Sequence, residues 1–197
     1  MGHEEVHQYT QARQPIGASA LHLASGIWHL ASGIWHLATA FTLLAVRPTI
    51  ANPADLHALK SRIASLTPDA SPQWGDMTAA QAVCHMTDSL LYGLNRRTIC
   101  TRIKPPLPVG LYKWLALNFP AKWPKGVPTT PEMKQGIGGT PPADFQCDRD
   151  ALLQALDAFA ANRENWPPHP IFAGMTTREW HRWAWLHTDH HLRQFGR

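Results

Sequence analysis

Two histidines four residues apart, His187 and His191 in REWHRWAWLHTDHHLRQFG, offer their imidazoles from successive turns of one helix face. That spacing lets a helix present two nitrogens to one divalent metal ion. Trp180, Trp183 and Ala184 fall on the same side, so the pair is expected to face inward. There an imidazole needs a metal, a buried carboxylate or a water as partner. Helices with this spacing and no metal are common, so the case needs a third ligand. His85, mid-helix among the apolar residues of WGDMTAAQAVCHMTDSLLYG, is the best candidate; its plainer reading is a partly buried core histidine. Gln81, Asp88 and Tyr92 share its side at helical spacing and are candidates to orient a ligand. Asp189 is another, with a solvated surface acid as its plainer reading.

The other histidines carry less. His190 lies about 100° around the helix from His191 and is expected to meet solvent or a neighbouring helix. His57 and His181 are expected to face solvent, and His169, ahead of Pro170 in a turn, to pack a loop. Cys84, beside His85, is expected to be a small core residue. Arg193 reads as a helix-end cation or a holder of an anionic substrate.

Three neutral imidazoles leave coordination positions open, which distinguishes a catalytic site from a structural one. An ion there would bring the pKa of a bound water towards neutrality. Zinc and nickel suit imidazole ligands, with manganese and iron as alternatives.

Four helices are predicted to position these residues. Asn52-Pro53 opens the first, with Leu56, Leu59, Ile63 and Leu66 at helical spacing, and Thr67-Pro68 closes it. Thr78 and Gln81 form a capping-box pattern for the second, which runs to about Asn95. Asp148 is expected to cap the third, which ends before Pro167, and Thr176 with Glu179 to open the last, which Gly196 stops. Residues 104–147 read as a long Pro/Gly-rich connection, with a short helix at 110–118, forming a site wall or lid with the tryptophans. No strand-period segment appears, so the fold class is all-α, a helix bundle.

Composition bounds the rest. The 197 residues are 44% apolar and only 16% charged, which excludes a disordered chain and a coiled coil. Three cysteines without a C-x-x-C exclude a disulfide scaffold, a cysteine zinc finger and thioredoxin chemistry. Unpaired thiols fit a reducing compartment, hence a cytoplasmic location. The net charge of +4 is spread along the chain, with no helix basic enough for nucleic acid.

The first fifty residues differ in character. Gln14 to Val46 carries no Lys, Arg, Asp or Glu, and HLASGIW stands twice in succession at 22–28 and 29–35. Three readings compete: a dispensable extension, a membrane-associated or interfacial helix through residues 16–46, or an extra packing helix. His22, His29 and His36 would be roughly 10 Å apart along a helix, too far for one ion.

Three segments, WGDMTAAQAVCH (74–85), HPIFAGMTTREW (169–180) and HTDHHLRQFG (187–196), resemble in order the DUF1569 branch of the DinB/YfiT-like superfamily over residues 51–197. The resemblance implies a four-helix bundle holding a divalent metal on three histidines, one from the second helix and two from the last. In this sequence those are His85, His187 and His191. It also implies a small-molecule substrate, with low-molecular-weight thiols as cosubstrates of characterised relatives, in transferase or isomerase chemistry; activation of water by the ion would instead give hydrolase-type chemistry. This branch has no assigned reaction. The alternative function is a non-catalytic bundle that binds a ligand or partner, with or without a membrane tether through residues 16–46. A homodimer is a further expectation.

Overall fold

A computed structural model describes residues 47–197. The HLASGIW repeat, and the anchor, extension and packing-helix expectations placed on it, lie outside the described residues. Among the described residues the chain is all-α: α1 (Pro53–Ala64), α2 (Ala79–Gly93), α3 (Val109–Asn118), α4 (Phe145–Ala161) and α5 (Thr177–Gln194). A single 3-10 turn, Pro131–Met133, lies in the long connection. None of these helices is long and apolar enough to cross a membrane.

Side-chain caps start four of the five helices. Asn52 accepts from the Ala54 and Asp55 amides, with Pro53 at the first helical position, where its missing N–H is harmless. Thr78 with Gln81 and Thr176 with Glu179 form complete capping boxes. The third expected cap is corrected. Asp144, not Asp148, takes the Cys147 amide at 2.8 Å, so α4 begins three residues before Asp148. Asp148 instead reaches back beyond the cap to accept from the Ala143 amide at 2.9 Å. Only α3 lacks a side-chain cap.

The apolar faces determine the packing. α2 packs chiefly on α4 and also on α5; α1 lies against both α4 and α5, and α3 against α5. The core includes Leu59, Ile63, Met86, Leu90, Leu152, Leu156, Phe159, Trp180 and Leu192. Trp180 is fully buried and stacks on Trp166, ring centres 5.5 Å apart. The α2–α4 approach depends on Gly93. A Cβ there would stand 2.5 Å from Phe159 Cε2 and 3.3 Å from Trp180 Cζ3.

α5 is covered on more than one side. Arg182 crosses to the Pro48 carbonyl (2.6 Å), while Arg62 of α1 pairs with Asp189 (2.8 Å). This enclosure corrects one expectation: His181 is buried, its Nε2 donating to the Asn162 carbonyl at 3.1 Å.

Candidate metal centre

The four-residue spacing on α5 stacks His187 above His191, and the α2–α5 contact brings His85 opposite them. The His85 ring centre lies 5.3 Å from that of His187 and 4.8 Å from that of His191; the α5 pair is itself 4.8 Å apart. One nitrogen from each ring lies within 4.8 Å of the other two, and these three form a cluster able to hold a metal ion.

Two of the rings are oriented by hydrogen bonds. His85 Nδ1 donates to the Met133 carbonyl at 3.1 Å, and His191 Nδ1 to Gln194 Oε1 at 3.1 Å. Each bond puts the proton on Nδ1 and leaves Nε2 with a free lone pair. Gln194 is fixed in turn, donating from Nε2 to the Trp74 carbonyl at 2.7 Å. Gly75, at φ +72°, makes room for it: a Cβ there would lie 2.9 Å from Gln194 Nε2. His187 lies nearly parallel to Trp183, 4.9 Å between centres, and its Nδ1 has no partner among the described residues.

Electrostatics keep the cluster uncharged. Burial pushes the pKa of His85 down, and those of His187 and His191 well below the usual histidine value. The neighbouring imidazoles add to the depression at His187, and His85 adds to it at His191. Neutral imidazole is the ligating form.

The residues expected to orient ligands bond groups other than the three imidazoles. Gln81 spends its Oε1 on the Thr78 amide in the capping box, although it also lines the cavity described below. Asp189 is held between Arg62 and Arg193, both at 2.8 Å. That contact also makes Arg193 a paired helix-end cation. Tyr92 donates to the Pro168 carbonyl at 2.6 Å. Asp88, 1% exposed, does not bond His85. It accepts from Arg97 Nη1 (2.8 Å), the Thr140 amide (2.8 Å) and Thr140 Oγ1 (2.7 Å). Arg97 continues to the Glu132 and Gly138 carbonyls at 2.8 and 2.5 Å. Asp88 therefore acts at a distance, tying down the turn whose Met133 carbonyl orients His85.

His190 is buried, not solvated. Its ring is edge-on to His191 (5.2 Å) and to Trp74 (5.8 Å). The groups that sequence reasoning missed are Gln194 and the Met133 carbonyl, which orient two of the three rings. Of these only Gln194 left a signal, three residues after His191 on the same helix. Cys84 is buried, as expected, and burial raises its thiol pKa to about 12.

All three clustered histidines line a cavity of about 770 Å³. Trp123, Trp183, Tyr112 and Phe172 contribute to its wall, together with much of the 107–135 stretch. His169 also faces it, buried and stacked on Phe172, with its Nδ1 accepting from the Ile171 and Phe172 amides (3.1 and 3.3 Å). Burial pushes its pKa down to about 3.

Among known proteins, the family model described as protein of unknown function (DUF1569) matches residues 52–197. No curated protein and no solved structure matches the chain.

Proposed function

We propose, for a chain that belongs to the DUF1569 family, that His85, His187 and His191 hold a divalent metal ion and that the cavity beside them is the site of a metal-dependent enzyme. The carrying observation is the convergence of three neutral imidazoles from two helices, two of them with Nδ1 already engaged and Nε2 free. The donor set fits the group: nitrogen ligands in a buried, uncharged site suit zinc or nickel, with manganese and iron as alternatives. Such an ion supplies Lewis acidity that brings water or a low-molecular-weight thiol towards its nucleophilic form near neutral pH.

The chain's own residues do the remaining work. The Met133 carbonyl and Gln194 keep two ligand rings in one tautomer and orientation. Trp183 and Trp123 flank His187, the latter with ring centres 6.5 Å apart, and limit access of bulk water. The cavity leaves room for an organic substrate next to the cluster, as transferase- or hydrolase-type chemistry requires. The four longer helices, α1, α2, α4 and α5, read as a four-helix bundle of the DinB/YfiT-like kind, with residues 51–197 as its domain.

Elemental analysis of the tag-free full-length protein tests this reading. About one equivalent of metal per chain is expected from a single site, followed by turnover in a screen of thiol-transfer and hydrolysis reactions. Metal-free protein that takes up none of the four ions would leave the rival reading, a ligand-binding protein without catalysis, which the apolar cavity alone could support.

A further inference from the structure

We infer that the cavity takes an amphiphilic organic monoanion, its apolar body along the aromatic wall and its anionic end at Lys122 and Lys134. The inference rests on reading the cavity as the substrate site, and three observations select the ligand. The inner wall is apolar, with Ile103, Tyr112, Leu115 and Phe172 offering no charge to a bound molecule. The apolar lining also continues out through the mouth: Leu107, Phe119 and Val127 line the cavity yet are 42%, 54% and 40% exposed. Contiguous exposed apolar surface of this kind marks a binding site, and a ligand reaching from the floor to the mouth would cover it.

The third observation concerns charge. Lys122 and Lys134 both line the cavity, both are exposed, and neither pairs with an acid among the described residues. Asp76 is the one acid on the wall. Two ammonium groups against one carboxylate leave the lining with a positive excess that a ligand's carboxylate can meet. A neutral ligand would leave the ammonium groups idle, and a polyanion could not enter the apolar interior.

The test compares decanoate with 1-decanol on the full-length protein, both metal-loaded and chelator-stripped. Binding is read by calorimetry and by tryptophan fluorescence, since Trp123 and Trp183 line the cavity. Decanoate should bind about tenfold more tightly than the alcohol at low salt, in stripped protein too, and the gap should narrow as salt rises. The Lys122→Ala/Lys134→Ala double variant should bring the acid to the level of the alcohol. Leu115→Trp, which fills the cavity, should lose both ligands. Equal binding of acid and alcohol, no binding of either, or a preference that survives the lysine double variant would overturn the inference. Metal content measured on the same samples separates the two readings. Metal without acid preference removes only the ligand class; acid preference without metal removes only the metal centre.

Discussion

The Nδ1 of His85 donates to the backbone carbonyl of Met133, 3.1 Å away and 48 residues further along the chain. A helix in the core and a 3-10 turn in the long connection thereby share one proton, and that proton decides which nitrogen of His85 faces His187 and His191. The connection is thus part of the site and more than a cover over it.

Removing a ring should remove the ion. His187→Ala and His85→Ala are each expected to abolish stoichiometric uptake of metal, because two imidazoles hold a divalent ion far more weakly than three. Elemental analysis after dialysis reads the result, and full occupancy in His187→Ala would show the ligand assignment to be wrong.

Gln194 should tune affinity without supplying a ligand. Gln194→Ala frees His191 Nδ1 and leaves the Trp74 carbonyl without its 2.7 Å donor. Metal affinity is expected to fall about 10- to 100-fold. A competition titration against a chromophoric chelator measures it, and wild-type affinity in the variant would deny Gln194 an orienting role.

Asp88 should matter for stability. Asp88→Ala strips a 1%-exposed carboxylate from Arg97 and Thr140 and leaves their donors without it. The expected loss is about 3–5 kcal/mol, read from urea unfolding. The milder Asp88→Asn tests the coupling to His85: metal affinity should weaken as the turn carrying Met133 loosens, while the fold persists.

Acid should destabilise the metal-free protein through the buried His85, His169 and His191 and the half-buried His187. Burial lowers the pKa of His85, His169, His187 and His191, that of His169 to about 3. In the unfolded chain these groups titrate near 6.5, so below that pH the unfolded state binds protons that the folded state refuses. Stability is complete above about pH 6.5 and declines as pH falls towards the folded values, by about 1.4 kcal/mol per pH unit for each histidine held neutral. Urea midpoints at pH 7.5, 6.5 and 5.5 measure the decline. Equal midpoints at the lower two values would contradict it.

Gly93 should resist even a methyl group. Gly93→Ala brings a Cβ to 2.5 Å from Phe159 Cε2, where both α4 and the Trp180 ring are packed. Overpacking of this kind costs about 1–3 kcal/mol, visible as a lower melting temperature. Gly110→Ala, with open space around it, should leave the melting temperature nearly unchanged.

Much of the fold was legible because helix starts have local chemistry. Asn52, Thr78 and Thr176 satisfy amides two or three residues away, so their roles are written in adjacent letters. The start of α4 was misread for the same reason: Asp144 and Asp148 are both acids near the helix start, and each takes a backbone amide. Local pattern cannot say which of the two is the cap.

The amino-acid order by itself determined that His187 and His191 share a face, because 3.6 residues per turn leaves no choice once that stretch is helical. It could also nominate His85. Only the tertiary structure decided that the three rings meet, since that depends on how α2 packs against α5. It alone chose the Met133 carbonyl as the partner of His85, for every residue carries a carbonyl and only chain return selects one. It buried His181 and His190 as well. Outward-facing residues on a helix meet solvent only where no other segment covers them, and α5 is covered on more than one side.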